Sequence, residues 1–131
     1  MATQQPRDQY SYVTAKPSRF DVLLGRGTGP NEHTGNCAFR DEVRKRKEQF
    51  HVAESRETKT LLVEQIIAAV WAQGGRFLRK MQSLELRALG LRASSEVGTY
   101  EIVTDFITLE SKVKHTFRYF SENLKTKDQH P

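Results

Sequence analysis

The widest stripe of apolar residues along the chain lies between residues 55 and 73. Its members recur at intervals of three and four, the period of an α-helix that buries one broad face. They are Leu62, Val63, Ile66, Ile67, Val70 and Trp71. The pattern predicts a core helix that begins near Ser55 to Thr58. The helix should end at Gly74-Gly75, because glycine adopts the left-handed backbone of a helix C-terminus at little cost.

Two narrower stripes predict a helix on either side of this core helix. Phe39, Val43 and Phe50 predict a first helix from Asn36 to about residue 52. Asn36 is a credible N-cap, because its side chain can accept a hydrogen bond from the first turn. The last helix should begin just after residue 105 or 108. Its apolar positions are Leu109, Val113, Phe117, Phe120 and Leu124.

Shorter apolar runs predict strands. "FDVLL" at residues 20–24 indicates an edge strand or an extended lead-in, while "RFLRKM" at 76–81 and "TYEIVT" at 99–104 predict an antiparallel hairpin. We expect residues 82–98 between the two hairpin strands to form an irregular insertion. The order of elements predicts an α+β fold of three helices with a small antiparallel β-hairpin, which is winged-helix-like.

The length of 131 residues suits one domain. Residues 1–19 are polar and aperiodic, which predicts a disordered N-terminal arm. Residues 20–124 form the predicted α+β domain, and residues 125–131 form a predicted disordered tail.

The chain is basic, with a formal net charge of +5 and a sequence pI of about 9.5. This balance favours an acidic partner, of which nucleic acid is the commonest, although many soluble domains carry such a charge for solubility alone. The single cysteine, Cys37, fits a reducing compartment. No apolar run has the length of a membrane span, so no membrane partner is expected.

The glycine-rich loop "GRGTG" at residues 25–29 does not match a nucleotide-binding enzyme. A dinucleotide fingerprint needs a further glycine at position 30, which is Pro30, and no Gly-Lys-Ser/Thr tripeptide exists. His33 and Cys37, with the distant His51 and His115, make a poor zinc set. We therefore expect no enzyme activity, no cofactor and no metal.

Basic residues recur in every predicted element around the core. Arg40, Arg44 and Lys47 share one face of the first helix at spacings that could follow phosphates. The equally plausible alternative is an ordinary solvated face. The sequence "RKRK" at 44–47 also resembles a nuclear-import patch. The last helix adds Lys112, Lys114, His115 and Arg118. The candidate nucleic-acid-binding residues are Arg26, Asn31, His33, Asn36, Arg40, Arg44, Lys45, Lys47, Arg76, Arg79 and Lys80.

The glycine-rich loop has two interpretations that the sequence leaves open. Arg26 and a helix N-terminus at Asn36 could form a phosphate site. Alternatively, the loop is structural, and Arg26 with the two asparagines bonds the loop's own carbonyls and Asp21.

The segment "DVLLGRGTGPNEHTGNCAFR" at 21–40, with "GGRFL" at 74–78, resembles a domain of unknown function that is widespread in diatoms and other stramenopiles. The shared pattern is Asp-Val-Leu, Gly-Arg-Gly, an Asn, His-x-Gly-Asn, Phe-Arg and Gly-Gly-Arg-Phe-Leu. Thr34 stands where the family usually has proline. The resemblance covers roughly residues 20–122 and implies no activity, although the regulatory, nuclear type of many members favours nucleic acid.

Taken together, the sequence predicts a small module that binds nucleic acid, double-stranded DNA in particular, in a regulatory or chromatin setting. The expected location is the nucleus, with the cytoplasm as the alternative. The competing function is a protein–protein interaction domain in which the glycine-rich loop is purely structural.

Overall fold

The computed structural model describes residues 12–13, 16–25, 28–91 and 98–128, with the backbone alone described at residues 28 and 122–128. In chain order, the elements are β1 (Tyr12–Val13), β2 (Val22–Leu24), α1 (Thr28–Glu32), α2 (Thr34–Lys45), α3 (Lys47–Val52), α4 (Arg56–Ala72), β3 (Phe77–Lys80), α5 (Ser83–Ala88), β4 (Tyr100–Val103) and α6 (Phe106–Asp128).

Four strands form one mixed sheet in the order β1-β4-β3-β2. Strands β3 and β4 are antiparallel, which confirms the predicted pairing of these two segments, and β2 is an edge strand as "FDVLL" predicts. Strand β2 runs parallel to β3, with Val22 opposite Phe77. A parallel pair needs a crossover connection, and the helical segment from α1 to α4 provides it.

The core lies between one face of the sheet and the helices. Val22, Phe77 and Val103 lie side by side on neighbouring strands and pack into this core. The ring of Phe39 in α2 meets the ring of Phe77 edge to face, with centroids 6.0 Å apart. The sheet and the helical layer are thus joined directly beneath α2.

Helix α4 confirms the predicted core helix. Ser55 caps its N-terminus by accepting a hydrogen bond from the Thr58 amide, and Gly74 has a φ of 83° just after its end. Five of the six stripe residues are buried, namely Leu62, Val63, Ile66, Ile67 and Val70. Trp71 packs against the core but is only partly buried.

The prediction of one helix from Asn36 to residue 52 is wrong. The helical segment begins two residues earlier, with His33 at the N-cap, and it breaks at Arg46 into α2 and α3. The Arg46 guanidinium stabilises the break by donating to the Glu42 carbonyl and to the Glu42 carboxylate. Beyond the break, Phe50 stacks on Phe117 of α6 at a centroid distance of 4.0 Å.

Several shorter elements differ from the sequence prediction. The described residues contain six helices rather than three, because α1 lies in the glycine-rich loop, α5 lies in the insertion, and Arg46 divides the first helix. The last helix starts as predicted but continues to Asp128, through part of the predicted disordered tail. Strand β1 lies within the predicted disordered arm and pairs with β4. The winged-helix-like hairpin is not confirmed, since β3 and β4 are the central strands of the sheet.

Candidate nucleic-acid interface

Arg76, a predicted nucleic-acid contact, is committed to a buried carboxylate. Its guanidinium donates to both carboxylate oxygens of Asp21, from Nε at 3.2 Å and from Nη2 at 3.0 Å. The backbone amides of Arg76 and Ser18 also donate to this carboxylate. Asp21 is fully buried, whereas the Arg76 side chain is 20% exposed. This cluster ties the chain before β2 to the start of β3.

The hydrogen-bond donors around Asp21 lower the pKa of its carboxyl group. Burial alone works to raise that pKa, but the hydrogen bonds from Arg76 and from the Ser18 amide outweigh burial. The pKa therefore lies below the ordinary value for aspartate. Asp21 is held as a carboxylate, and Arg76 is its counter-charge rather than an open anion contact.

Asn36 is a second structural residue among the predicted contacts. Its side chain is buried, accepts from the Leu23 amide at 2.7 Å and donates to the Leu23 carbonyl at 2.9 Å. One amide group thus satisfies both backbone groups on the free edge of β2. The prediction that Asn36 is an N-cap is wrong, because Asn36 lies inside the first turn of α2.

Gly35 and Gly75 allow the backbone at Phe20 and Asp21 to pass closely between two elements. A Cβ on Gly35 would lie 1.9 Å from the Asp21 carbonyl oxygen, and a Cβ on Gly75 would lie 2.2 Å from the Phe20 carbonyl oxygen. Only glycine fits either position without moving backbone. We call Asp21, Gly35, Asn36, Gly75 and Arg76 the anchor network.

His33 and Asn31 also contact the protein itself. The Nε2 of His33 lies 2.9 Å from the Ser18 carbonyl oxygen, which can only accept, so Nε2 carries the proton in this contact. The Asn31 carbonyl accepts a hydrogen bond of 2.6 Å from Arg40, while the Asn31 side chain is exposed. Arg26 and Gly27 lie outside the described residues. The described residues of the segment 21–40 that were predicted to contact nucleic acid therefore mainly form hydrogen bonds within the protein.

Arg79 holds the insertion to the sheet. It donates to both Glu85 carboxylate oxygens in α5 and to Glu101 in β4. The hydrogen bond from Arg79 is the main reason that the pKa of Glu85 is lowered to about 2. Lys80, the next residue, is exposed and points to the face of the sheet opposite Phe77. The sheet therefore separates Lys80 from the helical layer.

Only two of the three basic residues predicted to share one face of the first helix lie on the same helix. Arg40 and Arg44 lie one turn apart on α2, but the break at Arg46 places Lys47 in α3. Arg44 pairs with Asp41, and Lys45 pairs with Glu42 at 3.2 Å. Arg44, Asp41 and Lys45 are each more than half exposed, so solvent weakens the hold of both pairs on their cations, although Glu42 is only 18% exposed.

Helices α2 and α6 bring cations from two elements together. The Cζ of Arg44 lies 5.0 Å from the ring centroid of Phe120, and the Nζ of Lys112 lies 5.9 Å from that of Phe39. Phe39 directly precedes Arg40, which is close enough to Lys112 to affect its charge. We call Arg40, Arg44, Lys112 and Phe120 the α2–α6 seam.

Lys112 is the seam residue whose charge is least compensated. Its burial, and then the nearby charge of Arg40, lower the pKa of its ammonium. No carboxylate among the described residues pairs with it. By contrast, Lys114 on the same helix pairs with Glu110 at 3.5 Å. The sequence carries a signal for this difference, since Lys114 has an acid four residues before it and Lys112 has none three or four residues away.

The described residues contain no cluster of three or more His, Cys, Asp or Glu residues that could hold a metal ion. None of the described helices combines the length and the apolar character that crossing a bilayer requires.

A family model, Domain of unknown function (DUF6824), matches residues 21–119. The chain belongs to this family. The matched segment starts at Asp21 and includes the whole anchor network, so the members of this network are residues of the family domain. No curated protein matches the chain, and no solved structure matches it either.

Proposed function

We propose that the protein binds nucleic acid, double-stranded DNA in particular, through the α2–α6 seam. The observation that carries the proposal is a group of cations on two packed helices, Arg40 and Arg44 on α2 and Lys112 on α6. Neither Arg40 nor Lys112 forms an ion pair with a carboxylate in the described part of the chain. A ligand rich in phosphate supplies the negative charge that the protein itself does not place there. The net charge of +5 supports the same class of partner.

The proposed contacts are fewer than the sequence suggests. Arg40, Arg44 and Lys112 form the centre, with Lys45 and Lys47 beside them on the same helical segment. Arg76, Arg79 and Asn36 are left out, because their polar groups already bond the protein. Of the basic residues on β3, only Lys80 remains a proposed contact with nucleic acid, as in the wing of a winged helix. This contact would be separate from the seam.

The setting of this activity is also a proposal. We place the protein in the nucleus in a regulatory or chromatin role, with the cytoplasm as the alternative. The residues "RKRK" at 44–47 support nuclear import only weakly, because the two arginines and Lys45 are paired with acids along α2.

An interaction domain is the second candidate function. Helix α5 exposes Leu84 and, just after its end, Leu89. This apolar surface lies in the insertion and is independent of the anchor network. If it docks another protein, the glycine-rich motif serves only the fold.

An electrophoretic shift titration with duplex DNA, single-stranded DNA and RNA separates these candidates. The proposal predicts retardation of the duplex at low salt, and weaker retardation when Arg44 and Lys47 are both changed to alanine. The absence of any duplex binding at low salt contradicts the proposal and favours the interaction domain.

A further inference from the structure

Three side chains beside the junction of α2 and α6 form a row of close contacts. The ring of Tyr119 meets the ring of Phe120 edge to face, with centroids 5.6 Å apart. The Cζ of Arg44 lies 5.0 Å from the centroid of the same Phe120 ring. Phe120 packs against the hydrophobic core, so it gives both neighbours a fixed support. A cation of α2 and an aromatic ring of α6 thus flank one anchored side chain.

Tyr119 is the exposed aromatic end of this row. It is 55% exposed, and its hydroxyl has no hydrogen-bond partner in the described part of the chain. The ring therefore adds little to the core, and the hydroxyl adds no bond to the fold. A tyrosine side chain has only two rotatable bonds, so its flat ring loses little conformational entropy when a ligand covers it.

Arg44 is the charged end of the row. Its Nη1 donates to Asp41, and both side chains are more than half exposed. Its Nε and Nη2 have no acceptor among the described residues, so these donors are open. A phosphate can accept from them while Nη1 stays with Asp41. Solvent screens the repulsion between that phosphate and Asp41 at this exposed position.

A nucleotide carries the two groups that these ends recognise. Its phosphate suits the guanidinium, and the face of its base suits an aromatic ring, on which every base can stack. The sugar separates the base from the phosphate, as Phe120 separates Tyr119 from Arg44. In a duplex, neighbouring bases cover the faces of each base, so only an unpaired base can stack on Tyr119.

The geometry points to a stacking site for one unpaired base on Tyr119, with the adjoining phosphate on Arg44. The inference rests on the proposed function, because it takes nucleic acid to lie along the α2–α6 seam. It extends that function by naming the class of ligand, which is a nucleic acid with a single-stranded segment.

Two strands of equal length separate base stacking from phosphate binding. One is oligothymidylate, and the other is an abasic strand with the same backbone charge. Fluorescence anisotropy at low salt should show that the parent binds oligothymidylate about fivefold more tightly or better, the low end of what one stacked base contributes. Equal affinities of the parent for the two strands overturn the stacking site.

The preference for bases should depend on the ring at position 119. Tyr119→Leu keeps apolar bulk but removes the ring, so the two affinities should converge, whereas Tyr119→Phe should retain the preference. Phe106→Leu is the matched control, since Phe106 is an exposed aromatic residue at the start of α6, about 20 Å from Tyr119 along the helix. It should also retain the preference. A Tyr119→Leu protein with the parental preference contradicts the inference.

Arg44→Gln tests the phosphate end of the site. It should weaken the binding of both strands by the same factor, because each strand offers a phosphate to the guanidinium. Unchanged affinities for both strands would remove Arg44 from the site.

A duplex titration with the same proteins separates the two proposals. Binding of the duplex and of the abasic strand, with no preference for bases, keeps the proposed function and removes the stacking site. A ring-dependent preference for oligothymidylate without duplex binding keeps the stacking site and removes the proposed preference for duplex DNA. No binding of any of the three ligands removes both.

Discussion

The Asn36 side chain forms the two hydrogen bonds with Leu23 that a neighbouring strand would otherwise form. Strand β2 is at the edge of the sheet, and the Asn36 amide offers Leu23 the donor and the acceptor that a fifth strand would offer. Because Asn36 comes from the first turn of α2, these two bonds also fix that helix against the sheet.

Replacing Asn36 should therefore destabilise the whole domain. Asn36→Ala leaves two backbone groups of Leu23 without partners, and we expect a cost of about 1–3 kcal/mol in the free energy of unfolding. Chemical denaturation measures this cost. Asn31→Ala is the control, since the Asn31 side chain is exposed and only its carbonyl is used. Equal stabilities for the two variants would refute the role of Asn36.

Gly35 makes an equally specific prediction. Gly35→Ala places a methyl group against the Asp21 carbonyl, which belongs to backbone and cannot rotate away. We expect a loss of about 1–3 kcal/mol or more, the range for overpacked cores. Gly25→Ala should be close to neutral, because its Cβ would meet Pro30 at an ordinary 3.7 Å. A Gly35→Ala protein as stable as the parent contradicts the close approach.

Asp21 predicts how stability depends on pH. Its pKa is lowered in the fold, so its contribution is fully present above the unfolded value of about 3.9 and is lost as pH falls through the lower folded value. Asp21→Asn should cost about 3 kcal/mol at pH 7, because it removes the buried carboxylate that pairs with the partly buried Arg76 guanidinium.

The difference between Asp21→Asn and the parent should shrink below about pH 4, where the parent loses the same interaction. Melting curves from pH 7 to pH 3 measure this convergence. Asp41→Asn changes an exposed pair instead, and its curve should follow that of the parent. A difference that stays constant down to pH 3 would show that Asp21 does not act through its charge.

At the scale of elements, α5 is joined to the sheet mainly through polar bonds. Arg79 reaches Glu85 and Glu101 together, but all three side chains are more than one-third exposed. Arg79→Ala should therefore speed amide exchange in residues 83–88 while changing the Tm less than Arg76→Ala does. Exchange rates that do not change in α5 would show that the buried Leu86 alone holds this helix.

Element types could be predicted because they depend on local periodicity. Helix α4, the antiparallel pairing of β3 with β4 and the start of α6 all follow from apolar spacing, and Gly74 marks the end of α4. The break at Arg46 could not be predicted. Its pair with Glu42 is a local contact that unbroken helices also form, and its contact with Gln65 of α4 depends on tertiary packing. Strand β1 has only two residues, which is too short for a periodic signal.

At the scale of the whole molecule, the residues that look most functional in the sequence mainly build the fold. Asp21 and Arg76 are 55 residues apart, and composition cannot pair them. The same limit applies to Arg40 and Lys112, whose meeting depends on how α2 packs against α6. A dense polar motif can thus be structural, while Arg40 and Lys112, which no sequence motif singles out together, lack an ion pair in the described part of the chain.

The salt dependence of duplex affinity tests this division of roles most directly. The slope of log K against log salt is about 0.9 per neutralised phosphate. The double variant Arg40→Gln with Lys112→Gln should lose two phosphate contacts, which lowers the magnitude of the slope by roughly 1.8. Arg56→Gln with Arg87→Gln is the control, because it removes the same charge from two exposed residues outside the seam. The account predicts a lower slope for the seam variant and a parental slope for the control. An equal fall in both, or no duplex binding at low salt, would contradict it.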